Sequence, residues 1–289
     1  MHFKTVKGIL SPRNSMNVYR GCSHGCIYCD SRSKCYRMDH DFEDIEVKAN
    51  AIELLEDKLR SKRKKAMIAT GSMSDPYMPL EKTLNLTRKA LGVIHRYGFG
   101  VTVTTKSDLV LRDLSLYKRI NQKAKAVVQM TLTTYDESLC GILEPNVSTT
   151  HERFQALKAF RDNNIDTVVW LDPFLPFIND TFENIEGLME YCVEAEVKGI
   201  ICFGIGLTLR EGNREYFYQK LDEHFPGLKA RYMRTYGSSY EVRSPNHQVL
   251  MGYIKKVCEE HDILVDPREV FAYLADMPSK TEQLTLFNL

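Results

Sequence analysis

Residues 19–29 read YRGCSHGCIYC and contain three cysteines, Cys22, Cys26 and Cys29. Three thiolates within eight residues can bind one face of an iron–sulfur cube, and the two intervening glycines let the backbone turn tightly around it. Three ligands for four irons leave one iron open, which indicates chemistry at the cluster. The alternative is a structural zinc site with Cys35 or His24 as the fourth ligand, although a second cysteine pair is missing from the sequence.

The composition indicates a globular protein and excludes several other classes. Of the 289 residues, 43% are hydrophobic and 27% are charged, which excludes disordered and collagen-like architectures. The most apolar stretches, 168–178 and 200–207, are interrupted by proline or glycine, so we expect no transmembrane helix. The start, MHFKTVKGIL, does not predict a signal peptide, and eight cysteines without an export signal predict a cytoplasmic protein without a disulfide framework. The net charge of +1 says nothing about whether a partner is anionic.

Short β-branched runs alternate with helical patterns from about residue 16 to residue 206. The predicted strands are 16–19, 66–70, 101–105, 126–132, 167–171 and 199–203. Apolar residues recur at helical spacing between them, as Leu86, Ala90 and Val93 do. Six strands with helical crossovers predict a parallel sheet, either doubly wound or curved into a partial barrel, with the chemistry at the carboxyl ends of the strands.

The alternation fades after residue 207. Helices are predicted over 214–225 and 246–261, and two short strands are predicted within 231–243 around a turn at 237–239. We therefore expect one domain, made of a barrel over 1–206, an extension over 207–280 and a tail over 281–289.

The spacing Cys22-x3-Cys26-x2-Cys29, with an aromatic residue before the last cysteine, resembles the signature of radical S-adenosylmethionine enzymes. The resemblance implies an α/β fold, a partial (β/α)6 TIM-type barrel with a C-terminal α+β extension. It also implies that the three cysteines bind a 4Fe–4S cluster and that S-adenosyl-L-methionine chelates the open iron. An electron from a donor such as flavodoxin or ferredoxin would cleave it to a 5′-deoxyadenosyl radical.

Motifs that follow the next three predicted strands indicate one branch of this family. They are TGSMSDPY at 70–77, TTKS at 104–107 with LRD at 111–113, and TLTT at 131–134 with LEP at 143–145 and Arg153. Together these are similar to the spore photoproduct lyase-like branch of the family. That branch includes DNA lyases that reverse thymine photolesions, as well as relatives without an assigned substrate.

The resemblance also implies roles for single residues. Ser74 and Asp75 would meet the ammonium group or the ribose of S-adenosylmethionine, and Lys106 would pair with its carboxylate. Tyr28 would contact the adenine or take part in radical transfer, or it would simply pack. The photoproduct lyases carry a cysteine just before the Ser-Asp pair, which returns hydrogen to the product, but residues 71–73 read GSM.

The missing thiol leaves the source of that hydrogen open. Cys35 and Cys140 are the candidate replacements, of which Cys140 follows the fourth strand, and 5′-deoxyadenosine with a tyrosine is another source. The remaining cysteines, at 192, 202 and 258, are isolated and are interpreted as ordinary buried thiols.

Evidence for a nucleic-acid partner comes from two basic segments. Residues 58–65 read KLRSKRKK, a pattern that most often marks a solvated helix face. Arg231, Tyr232 and Arg234 interleave cations with an aromatic ring, which suits phosphate contact with base stacking. The resembled lyases use a C-terminal hairpin to open the duplex, so we expect these residues to lie on a DNA-contacting hairpin. The alternative is an edge hairpin with exposed arginines.

The tail resembles the bacterial sliding-clamp-binding pentapeptide Gln-Leu-(Ser/Asp)-Leu-Phe. Gln283 would supply hydrogen bonds, and Leu284, Leu286 and Phe287 would supply apolar anchors for a groove on the clamp. A terminal strand packed on the domain is the alternative.

These features predict a radical S-adenosylmethionine carbon–carbon lyase that repairs a pyrimidine photolesion or adduct in DNA. The radical would abstract hydrogen from the saturated C6 of a damaged thymine, and the abnormal bond would break by β-scission. The alternatives are the same chemistry on RNA or a small metabolite, and a zinc-stabilised, clamp-tethered DNA-binding module.

Overall fold

A computed structural model of the chain describes residues 1–277. The strands, in chain order, are β1 His2–Lys4, β2 Ser15–Met16, β3 Tyr19–Arg20, β4 Glu46–Lys48, β5 Met67–Thr70, β6 Gly100–Thr105, β7 Ala126–Thr131, β8 Asp166–Trp170, β9 Gly199–Ile201, β10 Gly206–Thr208 and β11 Glu241–Arg243. The helices are α1 Ala51–Ser61, α2 Glu81–Leu84, α3 Leu86–Arg96, α4 Leu114–Lys123, α5 Glu137–Leu143, α6 Thr150–Arg161, α7 Phe182–Glu194, α8 Asn213–His224, α9 Leu228–Tyr236, α10 His247–Glu260 and α11 Pro267–Ala275.

The main sheet has six parallel strands in the order β2-β5-β6-β7-β8-β9. All six predicted strands are present, with bounds that differ by at most a few residues. The spatial order follows the chain order, whereas a doubly wound sheet reverses its order at a switch point. The partial barrel is therefore confirmed over the doubly wound alternative.

The six strands alternate between two faces, as β-geometry requires. The outer face packs on the helices through residues such as Val103, Val128 and Val169, which are fully buried in the main core. The inner face begins with an apolar floor at the amino ends of the strands, where Val127 and Val168 pack against α11.

A polar layer lies on this floor. Gln129 donates a hydrogen bond to Thr102 Oγ1 at 2.7 Å and accepts one from the indole N–H of Trp170 at 2.7 Å. These three side chains belong to β6, β7 and β8, so they fix the spacing of the central strands from inside. Above them, at the carboxyl ends, the inner face opens into a cavity.

The C-terminal part covers the barrel rather than standing apart from it. Leu264 forms a parallel bridge with Gly199 of the edge strand β9, and the Ile200 N–H donates to Leu264 O at 2.7 Å. Helix α10 packs on α7, and α11 packs on β9. The edge of the sheet is therefore covered, which removes unpaired backbone groups from solvent.

The predicted hairpin over 231–243 is wrong. Residues 228–236 form the helix α9, and only β11 is a strand, pairing antiparallel with β10 instead of with a neighbouring hairpin strand. The helix is favoured because it buries Tyr232 completely. The Tyr232 hydroxyl donates a hydrogen bond to Pro176 O at 2.7 Å. The predicted helices over 214–225 and 246–261 are confirmed as α8 and α10.

A second, three-stranded sheet, β1-β4-β3, was not predicted because its strands are only two or three residues long. No helix in the described residues is long and apolar enough to cross a membrane. The tail residues Gln283, Leu284, Leu286 and Phe287 lie outside the described residues.

Candidate functional site

The cysteine loop leaves β3 and is held by backbone hydrogen bonds. Gly21 has φ +88°, and a Cβ there would lie 2.5 Å from Phe42 O, so this position requires glycine. The Cys22 N–H donates to the same Phe42 O at 3.1 Å, and the Ile27 N–H donates to Leu143 O at 3.0 Å. The loop is thus shaped by contacts with distant segments.

The three thiols of this loop lie close enough to influence one another. Cys26 is buried, and Cys22 and Cys29 are half-buried. Burial is the main cause that raises the pKa of Cys22 to about 12, and the nearby charges of Asp75 and Cys29 raise it further. Burial also raises the pKa of Cys26 well above its ordinary value, with smaller contributions from Cys22 and Cys29.

The spacing of the sulfur atoms bears on whether one zinc ion could bind all three cysteines. Within residues 1–277, the one group of three or more metal-binding side chains whose ligand atoms all lie within 4.8 Å of one another is elsewhere in the chain. Tetrahedral zinc with sulfur at about 2.3 Å would bring the sulfur atoms to roughly 3.8 Å. The three cysteine sulfurs therefore do not all lie within 4.8 Å of one another, a wider spacing than a single zinc ion bound by all three would have.

The residues named as a fourth zinc ligand face other groups. His24 is buried with Nδ1 at 3.4 Å from Asp75 Oδ2, and Cys35 is exposed with Sγ at 3.5 Å from Arg210 Nη1. Neither side chain completes a zinc site with the three cysteines.

A cavity of about 550 Å³ opens beside the loop, at the carboxyl ends of the strands. Tyr28 and Cys29 line one side, and β10 and β11 line the other. Inward-facing residues at or just beyond the ends of the strands also line the cavity. They are Gly71, Thr104, Lys106, Thr131, Trp170, Asp172 and Phe203.

Lys106 faces this cavity, as the sequence predicted. Its ammonium group lies 5.9 Å from the ring centre of Tyr28. Burial lowers the pKa of Lys106, but the interactions with the Cys26 sulfur and the Glu144 carboxylate outweigh it, so the pKa is raised and the group is protonated. Among the described residues, no hydrogen bond or ion pair to this ammonium group is formed. It is a cation directed at the cavity without a protein partner.

Ser74 and Asp75 do not line the cavity. The Ser74 hydroxyl donates to Gly21 O at 2.6 Å, which fastens the end of β5 to the cysteine loop. The Asp75 carboxylate accepts from the Thr105 hydroxyl at 2.7 Å and from the Lys106 N–H at 2.8 Å. The expectation that these two side chains meet the ligand stays a prediction. They position the loop and Lys106.

Tyr28 and Cys140 belong to one buried network. The Tyr28 hydroxyl donates to Glu144, and Arg153 Nη2 donates to Glu144 Oε2 at 2.6 Å and to Cys140 Sγ at 3.0 Å. Arg153 and Glu144 are both completely buried. Although burial opposes it, the positive charges of Arg153 and Lys106 lower the pKa of Glu144, which stays ionised.

Within this network, the two candidate catalytic residues differ in their access to the cavity. Tyr28 lines the cavity, but Cys140 does not, because its thiol lies behind Glu144 and Arg153. Cys140 as a hydrogen donor stays a prediction, and the described contacts do not place its thiol in the cavity. Cys35 does not line the cavity either, and Cys192, Cys202 and Cys258 are buried as expected.

Asp172 is a cavity residue that the sequence analysis missed. Burial raises the pKa of Asp172 to about 7, an effect that Lys106 partly offsets. Strand alternation could have found it, because Val168, Trp170 and Asp172 have the same parity along β8 and all face inward. Glu144 and Arg153 belong to the sequence motifs described above, but the sequence pattern did not indicate that they pair with each other.

The predicted nucleic-acid residues lie on α9. Arg231 and Arg234 are exposed, and the Arg231 guanidinium lies 3.6 Å from the ring centre of Phe177. Tyr232 is fully buried, so the expectation that it stacks on a base is wrong. The basic run 58–65 precedes the amino end of β5, and thus lies on the side opposite the cavity.

Comparison with known proteins gives the following matches. The family model described as Radical SAM superfamily matches residues 16–192. The chain is 33% identical over 244 residues to an uncharacterized protein of Methanocaldococcus jannaschii, covering 84% of this chain and 83% of that protein. It is 30% identical over 230 residues to an uncharacterized protein of Mycobacterium tuberculosis, covering 78% of this chain and 67% of that protein.

Among solved structures, the chain is similar to spore photoproduct lyase complexed with dinucleoside spore photoproduct. The TM-score is 0.63 at 14% identity, and the match covers 91% of this chain and 79% of that chain. At this identity the likeness shows a shared fold.

We predict that Glu144→Gln destabilises the protein by about 3–5 kcal/mol, because Arg153 stays buried without its charged partner. Urea unfolding under anaerobic conditions measures the change. Glu194→Gln is the matched control, since its pair with Lys158 is exposed and should contribute at most about 1 kcal/mol. Equal effects of the two substitutions would contradict a structural role for the buried pair.

A second prediction concerns pH. An unfolded aspartate titrates near pH 3.9, so between about pH 4 and pH 7 the folded state holds a proton on Asp172 that the unfolded state has lost. The free energy of unfolding therefore falls as pH rises through this window. Asp172→Asn stays neutral and should be more stable than the wild type at pH 8, on the order of 2–4 kcal/mol, but not at pH 4.

Unfolding midpoints measured at several pH values without added ligand test this. The exposed Asp57→Asn should follow the wild type at every pH. A constant difference between Asp172→Asn and the wild type would show that Asp172 titrates normally.

Proposed function

This chain belongs to the Radical SAM superfamily, and we propose on that basis that it is a lyase acting on a damaged pyrimidine in DNA. Its cofactors are those of the family, a 4Fe–4S cluster and S-adenosylmethionine. The observation that supports the proposal is a cavity that combines the cysteine loop, an unpaired lysine cation and one exposed arginine, Arg243.

We assign Cys22, Cys26 and Cys29 as the cluster ligands, because they share one loop beside the cavity and have the spacing of the family signature. Lys106 binds the carboxylate of S-adenosylmethionine with its ammonium group. Asp75 supports this role by accepting a hydrogen bond from the backbone N–H of Lys106. This bond sets where the Lys106 side chain enters the cavity. When bound, the reduced cluster and S-adenosylmethionine supply a 5′-deoxyadenosyl radical, which can abstract hydrogen from C6 of a damaged base and lead to β-scission.

The residues of this chain orient and protect that chemistry. Tyr28 presents its ring to the cavity and keeps its phenolic proton, since burial and the charge of Glu144 raise its pKa well above the ordinary value. Glu144 and Arg153 hold Tyr28 in place from behind. Residues 71–73 carry no thiol where the resembled lyases have one, and Cys140 is bonded to Arg153 and Glu144 outside the cavity lining, so 5′-deoxyadenosine with a tyrosine such as Tyr28 is the source of returned hydrogen that we favour.

The surface beside the cavity suits a nucleic acid. Arg243 lines the cavity and its backbone carbonyl accepts from the Tyr236 hydroxyl of α9 at 2.9 Å, which couples this helix to the cavity wall. On α9, Arg231 and Arg234 flank Met233, which is 54% exposed. Cations around an exposed apolar side chain suit phosphate contact with an inserted wedge, and a damaged base must leave the helical stack to enter the cavity.

Further partners follow from the sequence motifs. The pentapeptide at 283–287 supports binding to a bacterial sliding clamp, and the cluster requires an electron donor such as flavodoxin or ferredoxin. A clamp would keep the enzyme on DNA, which agrees with a DNA substrate.

We predict that Lys106→Ala weakens S-adenosylmethionine binding about tenfold to a hundredfold while the cluster iron content stays unchanged. The lost charge-assisted contact contributes about 1.5–3 kcal/mol. Anaerobic calorimetry measures the affinity, and Lys89→Ala, an exposed lysine on α3, is the control. Unchanged affinity in Lys106→Ala would remove Lys106 from the binding site.

The experiment that tests the function incubates the reduced holoenzyme and S-adenosylmethionine with oligonucleotides that carry lesions fused at C5–C6 of thymine, including cyclobutane-type and furocoumarin-type adducts. We expect restored thymine with at least one lesion, and no product with undamaged DNA. The Cys22/Cys26/Cys29→Ala variant should lose both iron and activity, whereas Cys192→Ala should keep both.

The surface is tested in the same assay. Arg234→Glu should weaken oligonucleotide binding and its salt dependence without altering S-adenosylmethionine affinity. If RNA or a small metabolite stimulates cleavage of S-adenosylmethionine while no DNA lesion does, the DNA assignment is wrong and only the family chemistry stands.

A further inference from the structure

A second group of metal-binding side chains lies away from the cavity, at the edge of the small sheet. It consists of His2 on β1, His40 in the segment before β4, and Glu46 on β4. One ligand atom from each residue lies within 4.8 Å of the other two. None of the chemistry proposed above uses these residues.

Both imidazole rings are oriented as metal-binding histidines are. His2 Nδ1 lies 2.9 Å from Asp44 Oδ2, and His40 Nδ1 lies 2.9 Å from Asp41 O. Both partners accept hydrogen bonds, so the Nδ1 atoms carry the protons and the Nε2 atoms carry free lone pairs. A carboxylate or carbonyl behind the second ring nitrogen is the usual support of a metal-bound histidine.

The free Nε2 of His40 has no other function in the structure. It is buried, and no hydrogen-bond partner for it exists among the described residues. The two rings meet edge to face, with their centres 4.9 Å apart. His2 Nε2 lies 4.0 Å from Glu46 Oε2. Two imidazoles and a carboxylate thus each bring one ligand atom within 4.8 Å of the other two.

In the structure, Lys4 neutralises the carboxylate of Glu46. Glu46 is 2% exposed, and Lys4 Nζ lies 2.9 Å from its Oε2. The hydrogen bond and the charge of Glu46 raise the pKa of Lys4. Lys4 is nonetheless 45% exposed and has a second carboxylate within reach, since Asp39 Oδ2 lies 3.5 Å from Nζ. The lysine can therefore move to Asp39 and leave Glu46 to another cation.

We propose that His2, His40 and Glu46 bind a divalent metal ion of the zinc type, with Lys4 as the competing cation when the metal is absent. Two imidazoles and a carboxylate are a usual zinc ligand set, and tetrahedral coordination would bring the ligand atoms to about 3.4 Å from one another, a small contraction from the present spacing. Metal would join β1, β4 and the segment between them that leaves the cysteine loop. The proposal is independent of the function proposed above.

The test is anaerobic calorimetry with Zn²⁺ on holoprotein that has its full complement of cluster iron, so that the three cysteines are occupied. We expect one equivalent to bind to the wild type. His40→Ala should weaken binding at least tenfold, and Lys4→Met should strengthen it because the competing cation is removed. His261→Ala, an exposed histidine on the C-terminal side, should bind as the wild type does.

Circular dichroism and iron content verify that each variant is folded. The proposal is overturned if the wild type binds no Zn²⁺, or if the His2→Ala/His40→Ala double variant binds it with unchanged affinity. Unchanged Zn²⁺ affinity in Lys4→Met would also overturn the proposal. It would show that Lys4 and the metal do not compete for the Glu46 carboxylate.

Discussion

The alternation of side chains along six parallel strands is the constraint on which the rest of the structure depends. Every second residue must face inward, and the inner face of a curved sheet has to be filled from its amino end. Here α11 supplies an apolar floor, and the hydrogen-bonded layer of Thr102, Gln129 and Trp170 covers it. The next inward positions have nothing above them and form the cavity. A register slip of one residue would bring apolar side chains such as Val103 to the inner face.

Distant segments of the chain hold the cysteine loop at several points. Ser74 bonds to Gly21 O, the Asn146 amide donates to Ser23 O at 3.0 Å, and Tyr28 bonds to the buried Glu144. Burying Glu144 with Arg153 has a large desolvation cost that the ion pair roughly offsets, so the pair contributes orientation more than stability. A preorganised loop lets three thiols bind a cluster with little further loss of chain entropy.

The C-terminal extension completes the site rather than forming a separate unit. Tyr232 of α9 and Phe217 of α8 share a hydrophobic core with Ile27 of the cysteine loop. This shared core explains why residues 228–236 are helical. The same basic and aromatic residues fit a hairpin in isolation, but only the helix buries Tyr232 against the loop while it exposes Arg231 and Arg234. The arginines therefore project to solvent from a helix that packs on α8 and shares a hydrophobic core with the cysteine loop.

The sequence by itself determined the cysteine loop, the six parallel strands and the inward position of Lys106. These are local properties, since cluster spacing and strand periodicity depend on neighbouring residues. The tertiary structure alone decided that Ser74 and Asp75 support the loop, that Cys140 lies behind Glu144 and Arg153, and that Asp172 shares the cavity with Lys106. Each of these depends on atoms brought together from segments far apart in the chain. Burial, which sets the charge and the partner of such groups, is a property of the packed molecule and not of any short stretch of sequence.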